Sequence, residues 1–210
     1  MKSQKNFLNL LGQIRIYSLI DFILLLIAIN SDKYQLAGAI LLHLSFLLFL
    51  EENHNHPYRN KFPKYSWIIF LIIGFIFLHN FAILLFIIFS FFYTKKNIKI
   101  IGPFSPFIRG LQSYFIVASI AGFSSPVSYS AFCLLTIRNF AGDIRDIDKD
   151  KKSGMQTLPI ILGIKGEFRY IHLILLLLTT TVWWIIADIS ITWLALIFII
   201  QILTYNITPR

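Results

Sequence analysis

Charge is scarce in this chain. Only 14% of its 210 residues are Asp, Glu, Lys or Arg, against about 25% in an ordinary soluble domain. Apolar residues take their place: Phe alone occurs 21 times, and 57% of the chain is apolar. A soluble core cannot absorb so many large apolar side chains at this length, so composition argues against an aqueous globular fold. Cysteine is nearly absent too. Cys133 stands alone in an apolar run, which excludes an intrachain disulfide and carries no information on compartment. The N-terminal stretch MKSQKNFLNLLGQIRIYSLIDF starts basic, but no small-residue cleavage site follows its first apolar run. It reads as a retained first span and not as a removed signal peptide. Internal repeats are also lacking. So is a soluble surface for a duplex or a base-stacking platform, which argues against nucleic acid as a partner. The net charge of +9 then reads as a basic rim facing anionic lipid heads.

What is present is a series of apolar runs: Ile16 to Ile29, Leu36 to Leu50, Trp67 to Phe92, Ile108 to Phe123, Val127 to Ile137, Ile171 to Ala187, and Ile189 to about Thr204. A membrane span needs about 20 residues, so the shorter runs must extend into polar flanks or tilt. The run from Trp67 to Phe92 is long for one span and short for two. His79 and Asn80 interrupt it near its middle. Breaking it there gives about eight helices. With the N-terminus cytoplasmic and the spans alternating, every one of the 19 Lys and Arg residues except Lys33 falls on the cytoplasmic side. Without the break, Lys95 to Arg109 would move outside and this bias would weaken, so the positive-inside rule favours the break. The expected fold is an all-α polytopic transmembrane bundle forming a single domain over residues 1–210. It belongs in the cell membrane, with the N-terminus on the cytoplasmic side.

Against this background the stretch NFAGDIRDIDKDKKSGMQTLP, from Asn139 to Pro159, stands out. It gathers Asp143, Asp146, Asp148 and Asp150 directly after an apolar run, at the expected cytoplasmic edge. On a continuous helix Asp143, Asp146 and Asp150 share one face, and Asp148 points away. Three like charges on one face repel, so a cation should hold them. It could be Lys or Arg, although a helix puts Arg145 and Lys149 mostly on other faces. It could be Mg²⁺, which takes carboxylates together with substrate phosphate oxygens. A solvated polar loop between spans is the plain alternative. Gly154 should end the helix, and Pro159 should stop it from continuing nearby.

The run DIRDIDKD followed by KKSGMQTLP resembles the second acidic motif of the UbiA-type intramembrane prenyltransferases, which reads DxxDxxxD followed by a glycine and often TLP. The resemblance implies a UbiA-like bundle that moves an isoprenyl group from its diphosphate to a lipid-soluble acceptor. That acceptor would be of quinone-precursor, prenylglycerol phosphate or chlorin type. It implies Mg²⁺ held by Asp143, Asp146 and Asp150, with Asp146 and Asp150 the stronger pair. Arg138, one turn earlier, would reach the same phosphates. Lys95 and Lys96 loosely fit a third basic region of the family that neutralises diphosphate; they also fit as membrane-edge anchors.

The family's first acidic motif departs further. The segment LSFLLFLEENHNHPYRNKFP, Leu44 to Pro63, keeps Asn55, Pro57 and Arg59 of its basic tail. Of the acids only Glu52 stays in register, and it remains with Glu51, His54 and His56 as an oxygen or nitrogen donor for a metal. Leu48 stands where the middle aspartate should be, and Leu44-Ser45 where an Asn-Asp pair should be. The family also carries one helix more than are counted here. The alternatives to an active prenyltransferase are therefore a catalytically degenerate protein that still binds a prenyl lipid and, less favoured, a small transporter. A transporter would use ionisable or polar groups at membrane depth. The candidates Asp21, His43, His79, Asn80, Gln112 and Asp188 can each be placed near a helix end or gap.

Overall fold

The computed structural model describes residues 12–53, 62–166 and 168–208. Among these residues the fold is all-helical. The helices are α1 (Ile16–Ala28), α2 (Lys33–Glu52), α3 (Ser66–Leu78), α4 (Ala82–Thr94), α5 (Ser105–Ala121), α6 (Pro126–Arg145), α7 (Ile147–Lys152), α8 (Leu158–Ile161), α9 (Ile171–Ala187) and α10 (Ile191–Ile207). A single 3-10 turn, Gly102–Phe104, precedes α5. Each expected apolar run has become a helix, and the run from Trp67 to Phe92 has become two. The helix expected through the acidic residues is divided into α6 and α7, and the short α8 has no counterpart among the expected runs. Among the described residues α2 alone is long and apolar enough to cross a membrane, while α1, α3, α4, α9 and α10 are apolar but shorter.

The division at residues 79–80 has a local cause. His79 ends α3 in the left-handed region at φ 43°, an unfavourable conformation for a side-chain-bearing residue. The next residue stabilises the restart. Asn80 Oδ1 accepts the Ala82 N–H at 2.9 Å, and its Nδ2 donates to the Ser119 carbonyl at 3.1 Å. Asn80 thus acts as a cap for α4 and a tie to α5.

The chain forms two compact units, Met1–His79 with Leu177–Arg210, and Asn80–Leu176. In the first, Asp32 and Gln35 make a reciprocal capping box at the start of α2, satisfying two otherwise orphaned N–H groups. Farther along α2, Gly38 lies against Gly74 of α3. A Cβ on Gly74 would meet the Gly38 carbonyl at 2.9 Å, so the two backbones approach only because both side chains are absent. Phe22 stacks on His43 at 4.6 Å between ring centroids. Tyr17 and Tyr205 meet edge to face at 5.2 Å. Asp21, buried on α1, accepts hydroxyl hydrogen bonds from Thr179 and Thr180 at 3.1 and 3.0 Å. Gln201 donates to Thr180 Oγ1 at 2.8 Å and to the Tyr17 carbonyl at 3.2 Å. These bonds offset part of the cost of burying polar groups among apolar helices.

In the second unit α5 packs on both α4 and α6. A Cβ on Gly110 would overlap Thr136 and the Phe132 carbonyl, which is why α5 and α6 can cross so closely. Gln112 is buried midway along α5, rather than near an end as expected, and donates to Ser90 Oγ of α4 at 2.7 Å. Gly102 serves a further close approach. Its missing Cβ would lie 2.5 Å from the Gln156 carbonyl, so the turn before α5 backs onto the segment before α8.

Candidate functional site

The acidic segment is not one unbroken helix. α6 ends at Arg145, Asp146 leaves helical geometry at φ −102° and ψ 13°, and α7 begins at Ile147. Backbone bonds still carry the chain across the break, from Asp146 N–H to the Gly142 carbonyl at 3.1 Å and from Asp150 N–H to the Asp146 carbonyl at 2.8 Å. α7 then stops at Gly154, as expected. Gly154 has φ 70°. Met155 N–H reaches the Asp150 carbonyl at 2.9 Å and Gly154 N–H the Lys151 carbonyl at 3.0 Å. These paired bonds around a left-handed glycine form a Schellman cap. The following Leu158-Pro159 opens α8, with proline in its first turn, where its missing N–H costs nothing.

The break redistributes the carboxylates. Asp143 and Asp150 converge on one ammonium: Lys96 Nζ lies 2.6 Å from Asp143 Oδ1 and 3.4 Å from Asp150 Oδ2. Asp143 and Asp150 are buried, and Lys96 is only 20% exposed. The second oxygen of Asp143 accepts the Ser105 hydroxyl at 3.0 Å. Ser105 is fully buried at the start of α5, directly after the Gly102 turn. A hydrogen bond to a carboxylate of this kind contributes about 1.5–3 kcal/mol. Burial opposes the charge on Lys96, but Asp143, Tyr93 and Asp150 outweigh it and hold the ammonium above the ordinary lysine range. For Asp150, burial outweighs the pull of Lys96 and holds the carboxyl above the usual range.

Asp146 goes elsewhere. Arg145 grips it through Nε at 2.8 Å and Nη2 at 2.6 Å, a bidentate arrangement of the strong kind. This corrects the expectation that Arg145 would lie on another face. The helical break at Asp146 lets adjacent side chains meet. Burial disfavours the charge of Asp146, yet Arg145, Lys149 and Lys96 prevail and hold its carboxyl below the usual range. The pair that meets on Lys96 is thus Asp143 with Asp150, while Asp146 meets Arg145. Asp148 points away as expected, lining an open surface hollow with Lys149, Lys152 and Ser153.

The remaining expected residues divide as follows. Lys95 has its ammonium over the Phe91 ring at 5.3 Å, a cation–π contact. Arg138 is buried on α6, on the same stripe as Ala131 and Leu135. One turn before Asp143, Asn139 accepts the Tyr93 hydroxyl at 3.2 Å. Glu52, in the first unit, accepts the Tyr65 N–H at 3.1 Å and so holds the chain at the entry to α3. Arg59, with His54 and His56, lies outside the described residues. Residues the sequence reading passed over are Ser105, Asn139 and, as a partner, Arg145. Gly142 also matters: a Cβ there would press on His172 at 3.2 Å, so the glycine leaves room for that ring beside α6.

Residues 125–208 match the family model described as VviA prenyltransferase. That interval is less than half of the chain, and it contains the whole acidic segment. The match supports a prenyltransferase family and prenyl transfer in general. No curated protein and no solved structure gave a match.

Whether these residues fit a divalent metal follows from their donors. Among the described residues no group of three or more His, Cys, Asp or Glu side chains is gathered for a metal. Mg²⁺ does not need one, since it is usually held by one or two carboxylates together with substrate phosphates and water. Asp143 and Asp150 supply two carboxylates already converging on one positive charge, and the fit holds at that level.

Proposed function

We propose that this chain is a polytopic membrane prenyltransferase of UbiA type. It transfers an isoprenyl group from a prenyl diphosphate to a lipid-soluble acceptor, with Mg²⁺ as cofactor and the acidic segment at the cytoplasmic face. The observation that carries the reading is the convergence of Asp143 and Asp150 on a single cation, inside the interval that matches a prenyltransferase family. Lipid as the surrounding medium is supported by large apolar side chains turned outward on several helices, among them Ile69, Ile72, Ile185, Ile199 and Leu203. Such surfaces are costly in water and favourable in hydrocarbon.

In this reading Asp143 and Asp150 hold the metal, and Ser105 fixes the orientation of Asp143. Lys96 and Arg138 bind the diphosphate. A divalent metal held there by Asp143 and Asp150 would supply charge neutralisation for the diphosphate leaving group; this chain's part is that the allylic C–O bond breaks with the diphosphate set between those residues and Lys96. The electron pair leaves with diphosphate, the prenyl carbon bonds to the acceptor, and the acceptor loses a proton. Lys96 offers its positive charge where that negative charge develops. The surrounding helices keep water from the allylic cation.

A second reading keeps the fold and the prenyl diphosphate but not turnover. It is favoured by Leu48 in place of a metal-binding acid and by the engagement of Glu52 with the Tyr65 N–H. Incubating membranes with labelled prenyl diphosphate and a panel of acceptors, with and without Mg²⁺, separates the two. Metal-dependent diphosphate release near 1 s⁻¹, the low end for ordinary enzymes, establishes the transferase. Binding without release establishes the degenerate form, and absence of both removes the reading.

A further inference from the structure

We infer that Lys96 is an internal counter-cation, which holds Asp143 and Asp150 together until diphosphate takes over its charge, so that divalent metal and diphosphate bind this site cooperatively. The inference rests on the prenyl diphosphate reading and adds an order to it. Three observations carry it. The Asp143 oxygen not bound to Ser105 is the one that Lys96 contacts, at 2.6 Å. The same ammonium reaches Asp150 at 3.4 Å. Two neighbouring cations are engaged elsewhere, Arg145 on Asp146 and Lys95 over Phe91.

Two buried carboxylates left without a cation are strongly destabilising, so Lys96 stabilises the site in the absence of other ligands. A divalent ion arriving alone competes with an ammonium for the same oxygens, and the two positive charges repel. A diphosphate changes that balance. Its oxygens attract both cations, give Lys96 a new acceptor and release the carboxylates. Metal affinity therefore rises when diphosphate is present. By linkage, diphosphate affinity rises by the same factor when metal is present.

The test uses the full chain in detergent and Mn²⁺, whose binding is followed by loss of its free-ion paramagnetic resonance signal. Titrations run with and without inorganic diphosphate and are corrected for the complex that the two form in solution. Wild type should bind Mn²⁺ weakly alone and at least about 5-fold more tightly with diphosphate, the lower bound of ordinary coupling. K96Q should bind Mn²⁺ alone more tightly than wild type, and diphosphate should tighten it by a smaller factor than in wild type, because only direct ligation of the metal by phosphate then remains. K96R, which keeps the charge, should retain the coupling. Equal Mn²⁺ affinity in wild type and K96Q, with the same diphosphate effect in both, overturns the inference and leaves the functional reading standing. No Mn²⁺ binding to wild type under either condition overturns both. If K96Q does not fold, the wild-type titration decides alone: Mn²⁺ binding unaffected by diphosphate defeats the inference.

Discussion

The two acidic segments of this chain use their carboxylates in opposite ways. At the end of α2, Glu52 accepts a backbone N–H from Tyr65, and Glu51, nearly buried, accepts from the side-chain amide of Gln13 at 3.4 Å. Both contacts stabilise the path of the chain. At the junction of α6 and α7, Asp143 and Asp150 are buried around one ammonium. The Tyr65 N–H is fixed in the backbone, whereas an ammonium on a four-carbon stem can be exchanged for another cation. Among the described residues, the contact of Glu52 is with backbone, whereas those of Asp143 and Asp150 are with a side-chain cation. Register against a family motif could not reveal this, because Glu52 aligns with a metal ligand whatever it touches.

The largest expected effect is all-or-none and concerns sidedness. In a background where Cys133 is replaced by Ser, K33C should react with a membrane-impermeant thiol reagent from outside. D148C should react only from the cytoplasmic side. Labelling of both from one side would break the topology on which a cytoplasmic acidic segment depends.

Next come the converging acids. D143N and D150N should each lower Mg²⁺-dependent prenyl diphosphate turnover or binding by about 10²-fold or more, the loss expected for an electrostatic contact in a transition state. D148N should change little, because Asp148 faces the open hollow. Similar losses at 143, 148 and 150 would mean that the segment acts through bulk charge and not through a formed site.

The opposite is expected of Glu52. E52Q keeps an oxygen for the Tyr65 N–H, so Mg²⁺-dependent diphosphate binding should stay within about twofold, the scatter of ±0.5 kcal/mol usual for substitutions away from a site. E52A should lower stability by about 1 kcal/mol through the lost hydrogen bond, again without a metal phenotype. A loss of metal dependence in E52Q would restore Glu52 as a ligand and erase the contrast between the segments.

The fold was legible where composition leaves few choices. The division at 79–80 followed from the length of an apolar run and the lysines beyond it, and Asn80 supplies its capping. The end of α7 was legible because Gly154 has few alternatives at a left-handed position. The site was legible only in outline. A spacing of three and four residues assumes an unbroken helix, and the backbone departs from helical geometry at Asp146. Lys95 and Lys96 are neighbours of one residue type, so sequence cannot say which reaches the carboxylates and which rests on Phe91. Ser105 sits in GPFSP, a stretch that announces a turn but not a hydrogen bond to an aspartate 38 positions away.

The smallest expected effect concerns Asp146, which is placed between the two modes of use. It belongs to the acidic segment, yet its carboxylate is satisfied by the adjacent Arg145 and held below the usual range, with burial opposing and Arg145 prevailing. A depressed carboxyl adds stability that is complete above its unfolded value, about 3.9. That stability is lost as pH falls through the lower folded value. The pair is partly exposed, so solvent screening keeps the contribution at about 1 kcal/mol or less. The melting temperature of the metal-free protein should therefore exceed that of D146N by a constant, small amount between about pH 7 and pH 5. The gap should close on acidification below about pH 4. Under the same conditions without metal, D150N should behave differently, because removing that charge unbalances the Lys96 pair and not an arginine one. A gap that stays open at low pH would show that Asp146 stabilises through shape and not charge. A gap that widens when Mg²⁺ and diphosphate are added would show that Asp146 leaves Arg145 to join Asp143 and Asp150, and the site would then have three acids.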